Sequence, residues 1–187
     1  QAQSEDSYTK EVKKERKEKD AVMANKSISP LSADQVEDFD SLSYFPIDSK
    51  YNITADWEPA ESGDRVTFET TTGEEKQIQK TGTVHFTFEG QQYSLDVFAT
   101  DQLPEFAEDN HAMFIPFMDQ TSGKETNANG RYLEVSPVEG QKKAEIDFNN
   151  AINPYSAYND KFAGLIPPAG NRLMFHVVSG ERKYEHR

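Results

Sequence analysis

From residue 51 onward apolar and polar residues alternate: Tyr51, Ile53, Ala55 and Trp57, then Val66 and Phe68 ahead of Thr72-Gly73, then Ile78. A period of two sends one row of side chains to a buried face and the other to water, so these runs predict strands. The clearest hairpin spans residues 83–99. Val84, Phe86 and Phe88 share a face, Glu89-Gly90 turns, and Tyr93, Leu95 and Val97 return. Residues 113–117, 131–135, 144–148 and 173–178 supply further strand candidates, about eight or nine in all. Such spacing predicts a mainly β (α+β) fold, an antiparallel β-barrel or sandwich with one or two N-terminal helices.

The start of the chain follows another rule. Residues 5–24 lack Gly and Pro, are dense in charge and offer Asp6–Lys10 and Glu15–Lys19 as four-apart pairs, which predicts a helix. Its apolar positions are only Tyr8, Val12, Val22 and Met23, so it is expected on the surface, fraying at its start. Ser29-Pro30-Leu31 ends it, and Ser32 with Gln35 has capping-box spacing for a second, short helix. The domain reading is therefore a charged helix and connector over 1–32, followed by one β-rich domain over 33–187. Residues 149–170 carry three prolines and read as a long ordered loop.

Charge narrows the partners. Lys and Arg number 20 against 33 Asp and Glu, a net charge of −13. The first twenty residues balance, so the excess lies in the globular part, whose field repels phosphate backbones; nucleic acid is not an expected partner. The absence of cysteine excludes disulfides, thiolate metal sites and a cysteine nucleophile. No apolar run approaches the roughly 20 residues that cross a bilayer, and the chain begins at Gln1, which suggests an exported protein, periplasmic or secreted, with its signal peptide removed. His85, His111, His176 and His186 show no metal spacing, with His85 and His176 expected on strands. No phosphate loop, dinucleotide fingerprint or nucleophile elbow occurs, and no cofactor is expected.

Two polar segments interrupt the apolar pattern. The first, FMDQTSGKETNANGRYLEV over 117–135, sets Asp119, Ser122, Glu125 and Arg131 between two strand-like runs. One reading is turn chemistry: 121–123 and 127–130 as turns, Asp119 and Ser122 bonded to backbone, Arg131 paired with an acid. The other is a site. A calcium loop fits poorly, because the twelfth position of a loop that starts at Asp119 holds Gly130 rather than Glu. The second segment, over 147–173, gathers Asp147, Asn149, Asn150, Asn153, Asn159, Asn171, Tyr155 and Tyr158, which suit either a ligand-binding loop or a self-satisfied cover over one end of the barrel.

At these segments the chain resembles the bacterial and archaeal family known as domain of unknown function 1684. The resemblance rests on FIPFMD followed by TSGKET, on NGRYLEV, on DFNNAINPYSAY and on IPPAGNRL. It implies that Asp119, Ser122, Glu125, Arg131, Tyr132, Asp147, Asn149, Asn153, Tyr158 and Asn171 stand at motif positions, and it implies no activity. Ser156 and the GLIPP stretch stand where the family pattern has cysteines, so a cysteine-based metal or redox role is not implied.

The expected function is binding of a small polar or anionic ligand between the two loops. Arg131 would grip a carboxylate, Asn149, Asn153 and Asn171 would bond hydroxyls or amides, and Tyr132, Tyr155 and Tyr158 would supply stacking faces. The alternatives are a hydrolase using two of Asp119, Glu125 and Asp147, and a structural or cell-envelope interaction protein with an exposed apolar patch instead of a pocket.

Overall fold

The computed structural model describes residues 6–107 and 112–186, which leaves His111 outside it. Its strands are β1 (Asn52–Pro59), β2 (Arg65–Phe68), β3 (Lys76–Phe88), β4 (Gln91–Ala99), β5 (Met113–Phe117), β6 (Arg131–Pro137) and β7 (Lys143–Asp147). They pair antiparallel in the order β1-β7-β6-β5-β4-β3-β2, and β1 also pairs with β3, so six strands close a barrel and β2 extends its edge.

Closure turns on Gly82. The first half of β3 pairs with β2 and the second half with β1, and the register shifts between Lys80 and Gly82 at the exchange. A Cβ on Gly82 would lie 2.5 Å from the Trp57 ring and the Glu58 carbonyl, so only glycine lets β1 come this close. This continuous strand, 13 residues long, merges two of the expected runs, and the described residues form seven strands. The β3–β4 turn matches expectation: Glu89 and Gly90 both have positive φ, 48° and 81°, which suits the twist of a tight hairpin.

The barrel interior holds Val84, Phe86, Leu95, Val97, Ile115, Phe117, Leu133 and Ile146. On the outer face of β4–β6 a second cluster, with Phe98, Phe114 and Tyr132, is covered by Leu165 and Ile152 of the 148–172 loop. Both faces of β5 and of the start of β6 are therefore buried, which is why FIPF and RYL read as near-continuous runs.

Residues 173–178, expected as a strand, form none, and His176 is on no strand. The segment is tied down by side chains instead: Val177 and Ser179 give their carbonyls to Arg131, and Val177 N–H donates to Asp119. Groups bonded this way are withdrawn from a ladder.

The N-terminal helix α1 (Ser7–Ala24) starts at Asp6, whose carboxylate caps Thr9 N at 2.7 Å. Asp6 is thus used as a cap rather than in the expected pair with Lys10, and Lys19 passes over Glu15 to reach Glu181 at 2.5 Å. Polar contacts hold this helix more than its sparse apolar stripe does. Arg16 donates to the carbonyls of Phe45 and Asn149, and Tyr8 donates to Asp147 at 2.7 Å, which anchors the expected fraying end. Helix α2 (Ala33–Glu37) carries the complete Ser32–Gln35 capping box.

Candidate ligand groove and its buried polar frame

The β5–β6 connection folds first on its own turn residues. Asp119 Oδ1 accepts from Thr121 at 2.8 Å and Ser122 at 3.3 Å, while Ser122 Oγ accepts from Asp119 N at 3.1 Å. Gly130, at φ +87°, ends the loop where a Cβ would lie 2.3 Å from the Phe117 carbonyl. The strand that follows starts with Arg131, 1% exposed. Its guanidinium donates to the carbonyls of Ser179, Glu181 (3.2 Å) and Val177 (3.0 Å) and lies 3.6 Å from Asp119 Oδ2. Desolvation pulls it down to about 10, opposed by Asp119 and Glu181, so it remains charged at neutral pH.

Beside it sits Glu181, fully buried. Its carboxylate accepts from Lys19, from Asn153 N and Nδ2 (both 3.1 Å) and from Tyr158 OH. Burial pushes this carboxyl up, while Lys19 and the Asn153 N–H oppose it. The four donors match what an ionised carboxylate can accept, and they draw α1, the 148–172 loop and the C-terminal segment onto one point.

Two asparagines behave as inserted peptide groups. Asn171 Oδ1 accepts from Asp96 N at 2.8 Å, and its Nδ2 donates to Asp96 O at 3.0 Å and Pro116 O at 2.9 Å. Asn149 does the same to Asp48, accepting at 3.0 Å and donating at 2.8 Å, with further bonds to Tyr8 and Asp147. Asp147 caps the turn at Asn149 N. Tyr132 packs against Phe114 and accepts from Leu165 N through its hydroxyl, and Tyr155 meets Phe162 edge-on while its N–H donates to Glu105.

The structure thus brings Asp119, Ser122 and Arg131 together, and Asn153 and Tyr158 together around Glu181. Asn149 and Asp147 sit at the helix contact and Asn171 sits between β4 and β5. Most of the expected ligand contacts are internal bonds. Of the three acids considered for hydrolysis, Asp119 and Asp147 are bonded as described, and Glu125 faces water.

Glu125 borders a groove of about 300 Å³ lined also by Asp38, Phe39, Asp40, Lys124, Arg182, Lys183, Tyr184 and His186. A second, more open concavity of about 410 Å³ is lined by Tyr158, Asn159 and Asp160, and Gln35, Tyr184 and His186 line both. One polar loop therefore reaches each. The pattern of turns and strands does not single out the charged pairs at 38–40 and 182–183, because exposed charges have no periodicity to betray them. Glu181 does follow Gly180, at φ +79°, where a Cβ would lie 2.6 Å from the Phe148 carbonyl.

Among the described residues no group of three or more His, Asp or Glu side chains is placed to hold a metal ion, and no helix is long and apolar enough to cross a membrane. His85 bridges Ser94 (2.6 Å) and Glu58 (2.7 Å), contacts that follow from its register opposite Ser94 on an exposed sheet face. The exposed large apolar side chains among the described residues are Ile28, Met174 and Val178.

Residues 37–182 match the family described as "Protein of unknown function (DUF1684)". The chain is similar to an uncharacterised protein of Haloarcula marismortui solved by solution NMR, with 27% identity, 94% of each chain covered and a TM-score of 0.69. No curated protein matches it.

Proposed function

The chain belongs to the DUF1684 family of proteins of unknown function, and from that premise we propose that it is a β-barrel binding module that holds a small polar ligand in the groove reached by its two polar loops. One observation carries this reading: Lys124 and Glu125 of the first loop and Tyr158, Asn159 and Asp160 of the second line two neighbouring concavities that share Gln35, Tyr184 and His186. The motif residues then act one layer below the ligand. Arg131, Asp119, Asn153 and Glu181 fix the backbone that presents the groove, which lowers the cost of ordering it on binding. A volume of about 300 Å³ is at the small end for ligand pockets.

The hydrolase reading gains no support, because two cooperating carboxylates must both be free to exchange a proton, and of Asp119, Glu125 and Asp147 only Glu125 lines the groove. The test is a screen of ¹⁵N-labelled protein against amino acids, sugars and dicarboxylates. Amide shifts confined to residues 38–43, 124–125, 158–160 and 182–186 are expected. Shifts elsewhere only, or none with any compound, would end the reading.

A further inference from the structure

We infer that the ligand of this groove is zwitterionic, a free amino acid or short peptide carrying both an ammonium and a carboxylate. The inference rests on the binding reading above and names its ligand class. The groove is lined by cations and anions together: Lys124, Arg182 and Lys183 on one side of the count, Asp38, Asp40, Glu125 and Glu185 on the other. All seven are exposed, and among the described residues none forms an ion pair, although opposite charges line the same 300 Å³. Elsewhere on this surface such charges do pair, as Lys26 with Glu37 and Lys50 with Glu89.

A ligand of one sign would satisfy half of the lining and be repelled by the other half. A free anion would also meet the field of a chain with net charge −13, whereas a zwitterion carries no net charge into it. The carboxylate belongs with Arg182 and Lys183, where a planar guanidinium can bind it through two parallel bonds. The ammonium belongs with Asp38 and Asp40, on the connector that follows α2. Phe39 and Tyr184 offer apolar surface between the two for a side chain.

Three small probes separate the possibilities in an amide-shift titration: glycylglycine, N-acetylglycine with the carboxylate alone, and glycinamide with the ammonium alone. Glycylglycine is expected to shift groove amides, with at least tenfold weaker binding of either singly charged probe. Lys183→Met, an exposed substitution that leaves the buried frame intact, should weaken glycylglycine and leave glycinamide unchanged. N-acetylglycine or glycinamide binding as tightly as glycylglycine would overturn the zwitterion and leave the groove standing as a polar site. No shift with glycylglycine also overturns it, and the wider polar screen then decides separately whether the groove binds anything.

Discussion

Asn171 pairs with Asp96 as one strand residue pairs with another, accepting from its N–H and donating to its carbonyl. The pairing between β4 and β5 covers only Phe98–Phe114 and Ala99–Met113, and the Asn171 amide fills the place where the strands part by also reaching Pro116 O. The loop that carries it is thereby fastened to two strands at once.

Asn171→Ala should therefore unpair three backbone groups beside the core. With about 1–3 kcal/mol for a buried group left unsatisfied, and partial relaxation, a loss of about 2–4 kcal/mol is expected. Asn171→Asp should cost at least as much, since a carboxylate cannot donate to the Asp96 and Pro116 carbonyls. Urea unfolding checks both; a loss under about 0.5 kcal/mol for Asn171→Ala would show that the contacts do not carry weight.

Arg131→Met removes the donors to Val177, Ser179 and Glu181 and leaves Asp119 buried without its cation. A cost of about 3–5 kcal/mol is expected, and Arg131→Lys should recover little, because a single ammonium cannot span carbonyls bonded by both ends of a guanidinium fork. In a double-mutant cycle with Asp119→Asn the two losses should be less than additive.

Lys19→Met leaves the Glu181 carboxylate buried without its counter-charge. Hydrogen exchange should quicken across residues 7–24, because this pair fastens the helix to the C-terminal segment. Adding Glu181→Gln removes the stranded charge and should restore part of the stability; if the double variant is less stable than Lys19→Met, the charge is not what the helix depends on.

Glu105 gives a pH signature. Its Oε1 accepts from Tyr155 N at 2.7 Å, its Oε2 is buried without a partner among the described residues, and desolvation raises its pKa from 4.5. The folded chain therefore keeps a proton that the unfolded chain has already released. Its contribution is full below the unfolded pKa and is lost as pH rises from about 4.5 toward the raised folded value. Glu105→Gln should flatten that part of the stability profile; an unchanged slope would assign it to another group.

Gly130→Ala should fail sterically rather than electrostatically. The position sits at φ +87° and a Cβ would lie 2.3 Å from the Phe117 carbonyl. A cost above about 2 kcal/mol is expected from strain and displacement of the β5 end, measured by thermal unfolding.

Alternation and capping were enough to place most elements: the 83–99 hairpin, the pairs over 113–117 and 131–135, and the Ser32 cap all follow from local rules and occur. Those rules failed where bonds run between distant residues. Nothing near Leu173–Val178 in sequence announces that the Val177 carbonyl is claimed by Arg131, 46 positions earlier. Nor does any period reveal that β3 continues through Gly82 by changing partners.

The same division holds for the site. By itself the sequence determined that the chain is acidic, cysteine-free and β-rich, and that its unusual polar residues gather in two loops. Whether those residues meet a ligand or each other was decided only by tertiary structure. Burial made an internal partner cheaper than water for Arg131, Asn149, Asn153 and Asn171, so the polar groups that stood out in the sequence became the frame, and ordinary charges at Asp38, Lys124 and Arg182 became the groove.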